Sequence, residues 1–131
     1  MTLALLADYA NISREGKLNI MGIFEQIHAH QFPAAHAQMQ LVVRLEATPF
    51  EAGPHPVRVA FIDGDARELF AIPGTLVVPE SQSGENITTN QIFVLNGVVL
   101  PTPGVYEFVI NVMGEELGRV PLRVLALPQA K

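Results

Sequence analysis

The chain contains no cysteine, so neither a disulfide nor a Cys-based zinc site can form. Lysine is nearly as scarce, with only Lys17 and Lys131 present. At 8 Lys+Arg against 13 Asp+Glu, net −5, the protein lacks the cations with which a general nucleic-acid binder neutralises phosphates. Charged residues make up 16% of the chain, against roughly 25% in an average soluble domain. AVILMFWYC residues reach 49%, the opposite of the balance that keeps a chain disordered. Long apolar runs are missing too: none approaches the roughly 18 residues of a spanning helix. The opening Met1-Thr-Leu-Ala-Leu-Leu-Ala-Asp8 has no basic n-region and stops at Asp8, so it reads as a strand rather than a signal peptide. These absences lead us to expect one domain over residues 1–131, cytoplasmic and without a membrane or nucleic-acid partner.

What is present has a period of two. In Val105-Tyr-Glu-Phe-Val-Ile-Asn-Val112, Tyr106, Phe108, Ile110 and Val112 share one face, as alternation on a strand requires. A short turn, Met113-Gly-Glu-Glu116, leads to residues 117–124, where Val120, Leu122 and Val124 alternate with Arg119, Pro121 and Arg123. Together they predict a hairpin. Pro121 cannot donate to a ladder, so it must lie at an edge, at a bulge, or with its nitrogen turned outward. A second hairpin is predicted from residues 57–62 and 67–72 around Asp63-Gly-Asp-Ala66, Asp-Gly supplying positive φ. A third joins residues 3–9 to 17–27. Further strands are expected over 38–46, 75–78 and 88–95. Apart from Pro121, the prolines punctuate the gaps between strands, and residues 34–38 could form one helical turn. Asn96-Gly97 fits either a two-residue hairpin turn or a bend.

About eight short strands with turn signals every eight to twelve residues specify an all-β fold, a two-sheet antiparallel β-sandwich of Greek-key, immunoglobulin-like type. Pro103-Gly104-Val105-Tyr106 fits a corner at which the phenol bonds back to nearby backbone, giving Gly104 and Tyr106 structural roles. The blocks Leu5-Leu-Ala-Asp-Tyr-Ala10, Gly16-Lys-Leu-Asn-Ile-Met-Gly-Ile-Phe24 and Asn90-Gln-Ile-Phe-Val-Leu-Asn-Gly97, with the Pro103 corner and Val120-Pro-Leu-Arg-Val124, resemble a family of small bacterial proteins of unknown function. The first two blocks are the more specific; the Pro-Gly-X-Tyr pattern is shared with many bacterial immunoglobulin-like modules. The resemblance implies a stand-alone sandwich and carries no catalytic assignment.

His28, His30 and His36 are the one cluster with metal-ligand spacing. His28 and His30 would project from one strand face, with His36 returning across Phe32-Pro33 and His55 a distant fourth, and neutral imidazoles suit zinc, nickel or copper. No Asp or Glu between 26 and 45 completes such a site, and a polar strand end explains the histidines as well. Asp63, Asp65 and Glu68, and Glu80 with Glu85, form two acidic loops whose spacing matches no calcium loop. The three serines, Ser13, Ser81 and Ser83, sit in no Gly-X-Ser-X-Gly setting, and no phosphate loop is present. Arg58 and Arg67 could face each other across a hairpin, and Arg119 with Arg123 makes at most a mildly basic face. No enzyme and no cofactor are expected.

The stronger signal is apolar excess. Leu41-Val-Val43, Leu76-Val-Val78, Ile92-Phe-Val-Leu95 and Val98-Val-Leu100 are apolar on both faces, whereas a two-layer sandwich buries one face per strand. The sequence therefore predicts an interaction module that binds itself or another protein through an apolar sheet face or an edge strand. Leu41, Val43, Val78, Phe93 and Leu95 are the candidate contacts. The alternative is a small-ligand or metal-binding sandwich built on the three histidines.

Overall fold

The structure, a computed structural model, describes residues 1–128; Lys131 lies outside the described residues. Nine strands follow one another: β1 (Leu3–Ile12), β2 (Leu18–Phe24), β3 (Gln26–Ala29), β4 (Ala34–Ala47), β5 (Gly53–Ile62), β6 (Glu68–Val78), β7 (Ile87–Leu100), β8 (Gly104–Val112) and β9 (Glu115–Ala126), with one 3-10 turn at Pro49–Glu51. They form a four-stranded sheet, β2-β1-β4-β7, and a five-stranded sheet, β3-β9-β8-β5-β6. This is the expected all-β sandwich, with one departure: β3 runs parallel to β9, where antiparallel pairing alone was predicted.

The three hairpins form where the sequence placed them. Two of their turns share one construction. In residues 13–17, Gly16 N–H donates to Ser13 O (2.9 Å) and Ser13 N–H to Lys17 O (2.8 Å), while Ser13 Oγ accepts from Lys17 N–H at 3.0 Å. Residues 63–67 repeat this with Ala66 N–H on Asp63 O and Asp63 N–H on Arg67 O, both 3.0 Å; Asp63 Oδ1 accepts from the N–H groups of Asp65 and Arg67. The left-handed position is Gly16 (φ +84°) in one turn and Ala66 (φ +63°) in the other. Gly64, expected to supply positive φ, is not the residue that does so. The third turn, Met113-Gly114, has positive φ at both residues, the type I′ geometry of a two-residue hairpin.

Between the sheets lies one apolar core. Phe61 packs on Phe70, Tyr106 and Phe108 with ring centroids 5.0, 5.2 and 4.6 Å away, and Leu6, Met39, Leu41 and Leu100 reach it from the opposite layer. The Tyr106 corner forms: its hydroxyl donates to Thr102 O at 2.6 Å and accepts from Thr102 N–H at 3.2 Å, satisfying polar groups at a buried bend.

Prolines are used inside strands more than the sequence suggested, since Pro54 and Pro56 belong to β5 and Pro73 to β6. Pro121 follows the outward-nitrogen option. Arg123 N–H donates toward β3, to Glu25 O, and nitrogens two apart on a strand point the same way. β3 pairs only with residues 123–126, so the Pro121 nitrogen faces past its end.

Residues 34–38 are not helical; they extend β4. Asn96-Gly97 is not a hairpin turn either, because β7 runs through it and stays paired with β4 on both sides. It is a bend. Met39 and Leu95 are buried, Gln38 with Ala37 and Asn96 with Gly97 are exposed, and Val98 is buried again. The inward face has shifted by one residue in both strands at once, with Gly97 at φ +64°. The far end of the ribbon thereby turns Val98 and Leu100 into the core.

Candidate interaction surface

Register decides which apolar residues face the partner sheet. Phe24, Leu6, Leu41 and Phe93 lie in one cross-strand row and point to the core. Leu41, Val43, Val78 and Leu95 are buried there, and Phe93 packs against it half-buried. These five residues are therefore core rather than surface contacts, which corrects the sequence expectation. Val42 occupies the opposite, outer face, yet it is 0% exposed because its row neighbours Leu5 and Ile92 cover it laterally. A run apolar on both faces thus needs no partner at its centre.

The outer face of β2-β1-β4-β7 carries the surplus instead. The next row is Ile23, Ala7, Gln40 and Val94, and Tyr9 pairs with Met21 beside it. Met21 is 66% exposed, Ile23 60%, Val94 51% and Tyr9 48%. Gln40 is buried, its Oε1 accepting from Ala10 N–H at 2.8 Å where β1 has left the β4 ladder. It therefore completes backbone bonding rather than offering a polar contact. No charge falls within these rows. Arg44 and Glu46 lie further along β4, where Arg44 Nε and Asn90 Oδ1, register partners, are buried without a hydrogen-bond partner.

The two long sides of the sandwich differ. On one, β2 passes into β3 through Glu25 alone, tying the layers together. On the other, the edge strands β6 and β7 leave an apolar cleft of about 640 Å³ between them, walled by Leu69, Phe70 and Ile72 on one lip and residues 94–99 on the other.

The histidines do not converge. His28 and His30 are exposed, and His30 Nδ1 lies 3.2 Å from Pro128 O. His36 is half-buried with its ring 5.9 Å from that of Phe24. His55 is engaged elsewhere, with Nδ1 at Met113 Sδ (3.0 Å) and Nε2 at Glu51 O. Among the described residues no three His, Asp or Glu side chains are placed to hold a metal, so His28, His30 and His36 do not form the metal cluster that their spacing suggested. Two residues apart on a strand means one face, but His36 lies on β4, and the bend at Gly97 turns that end of the ribbon toward Phe24.

The remaining charges are paired locally. Arg58 forms a two-pronged bond to Glu68 (2.8 and 2.7 Å) instead of facing Arg67, which binds Asp63 at 2.9 Å. Hydrogen bonds from Arg58 hold the Glu68 carboxyl below the usual carboxylate range, and the backbone N–H of Arg67 does most to lower that of Asp63. Arg119 reaches both Glu116 (3.0 Å) and Glu107 (3.3 Å), so the last strand presents no net basic face.

The family model described as "Family of unknown function (DUF6941)" matches residues 2–125. The chain belongs to this family. No curated protein matches it. Membership in DUF6941 brings no activity with it, so the functional reading rests on the surface. The five residues that sequence reasoning named lie in or against the core, and the exposed apolar side chains are others. Tyr9, Met21 and Ile23 lie in β1 and β2, whose apolar content on both faces was a readable signal, but only the long-range register with β4 says which face is out.

Proposed function

We propose that the protein is a non-catalytic interaction module that binds a protein chain through the outer face of its four-stranded sheet. One observation carries this reading: Met21, Ile23, Tyr9 and Val94 stand exposed on a sheet face whose central rows hold no charged side chain. Exposed apolar surface of this kind is unfavourable in water and is gained back on association. Charge is concentrated in turns and on the other layer, where Arg58–Glu68 and Arg119–Glu116 pair with each other.

A photo-crosslinking residue placed at Met21 tests this in the native cell extract. The expected result is one discrete adduct, to the same chain or to another protein, abolished by Ile23→Lys with the fold retained by circular dichroism. A featureless smear, or no adduct, overturns the reading.

A further inference from the structure

We infer that the exposed edge of β7 pairs with β7 of a second copy, joining two four-stranded sheets into one eight-stranded sheet; this goes beyond the interaction reading above, adding a contact at the sheet edge. The four sheet edges of the molecule are not equivalent. β3 is only 4 residues long. β6 carries Pro73 within its length and opens on Glu68. β2 is 7 residues long, and Gly22 interrupts it at φ +71°. Short strands, prolines, charges and irregular backbone are the devices by which natural sheets prevent edge pairing.

β7 has few of them. It runs 14 residues, Ile-Thr-Thr-Asn-Gln-Ile-Phe-Val-Leu-Asn-Gly-Val-Val-Leu, with no proline and no ionisable side chain, and it stays unbent over residues 87–96. Among the described residues its only backbone hydrogen bonds are to β4, so alternate N–H and C=O groups along the other edge point away from the sheet.

Charge favours a second copy as the occupant. The molecule carries a net charge of −5, so most surfaces of two copies repel each other, whereas a neutral edge brings no like charges together. An antiparallel strand pairing with its own copy generates a two-fold axis and closes at two subunits. The cleft supplies the second half of the contact. A strand added to β7 lies about 4.8 Å beyond it, over the opening toward β6, where Leu69 (38% exposed), Val94 and Val99 (51% and 53%) form exposed apolar walls. Inward-facing side chains of the second β7 would enter that space, while outward-facing ones extend the Ile23–Val94 row across the joined sheet.

Native mass spectrometry of the untagged protein reads the outcome. The expected species is twice the 14.3 kDa chain mass, with no added mass. Val94→Lys and Val99→Lys place a charge on the apolar walls that the second copy would cover and should each weaken the dimer by roughly 100-fold or more. Met21→Lys, on the far side of the same face, should leave it intact. Hydrogen exchange on the unaltered protein gives the same answer without a mutation: amides of residues 87–96 should become more slowly exchanging as concentration rises, while those of β2 should not. A monomer at all concentrations overturns the β7 pairing, as does a monomer carrying a small-molecule mass. A dimer broken by Met21→Lys and spared by both valine changes overturns it too and assigns contact to the sheet face. In each of those cases a discrete Met21 crosslink to a protein would leave the broader reading standing.

Discussion

Two turns built alike, one with Gly16 and one with Ala66 at the left-handed position, provide a controlled comparison at the scale of single residues. A Cβ in that conformation costs roughly 1–2 kcal/mol, offset in part by the greater unfolded-state entropy of glycine. Ala66→Gly should therefore stabilise the protein by about 0.5–1 kcal/mol, and Gly16→Ala should destabilise it by a similar amount; thermal unfolding of both variants measures the pair. Tyr106→Phe removes the hydroxyl that serves both the N–H and C=O of Thr102. Its cost should be about 1–3 kcal/mol in urea unfolding, with an unchanged m-value because no additional surface is exposed. That residue was legible in the sequence, since a Pro-Gly corner and a tyrosine two positions on specify their contact locally. Ala66 was not, because Asp-Gly is the stronger turn signal and only the closing bond from Ala66 N–H to Asp63 O shows where the left-handed residue falls.

At the scale of strands, what was read correctly is what local sequence determines. The hairpins follow from alternating runs and short turns, and the outward nitrogen of Pro121 was among the options its chemistry left. The two larger errors involve partners distant in sequence. Residues 34–38 extend because their bonds go to residues 96–100, and an alanine-rich segment takes the ladder it is offered. The five candidate contacts were named with no face assigned, because a one-residue change of register exchanges every inward side chain for an outward one. Gly97 makes this visible within a single ribbon, where burial changes parity across the bend. A Cβ at Gly97 would meet no atom within 4 Å, so Gly97→Ala tests conformation alone. We expect a loss of about 1 kcal/mol without loss of fold, checked by denaturant midpoint. Gly22→Ala should be worse, because the Asp8 carboxylate occupies the space of the new methyl in addition to the φ penalty.

For the molecule as a whole, pH and topology set the stability. Glu51, Asp63, Glu68 and Glu116 all have carboxyl pKa values lowered in the folded state, mainly by hydrogen bonds from Thr48 and Arg67 backbone and from the Arg58 and Arg119 side chains. A lowered folded pKa adds stability that is complete above the unfolded value and is lost as pH falls through the folded one. The melting temperature should therefore hold from pH 7 down to about 5, then fall below the ordinary carboxylate value near 4.5. Glu68→Gln should make that acid decline shallower. These groups are exposed, so each contribution is modest, and the decline should be gradual.

The parallel pairing of β3 with β9 also fixes a schedule. Residues 26–29 lie against residues 123–126, so a segment made early in synthesis waits for nearly the whole remaining length before it has a neighbour. The β1–β2 hairpin waits as well, since its other flank is β4 and β4 is completed by β7. A ribosome-bound chain stalled before residue 120 should hold hairpins but no closed core, and should be cut readily by protease. Release of β9 then completes the five-stranded layer and closes the sandwich in one late step, and until that step the nascent chain depends on whatever shields apolar segments as they leave the exit tunnel.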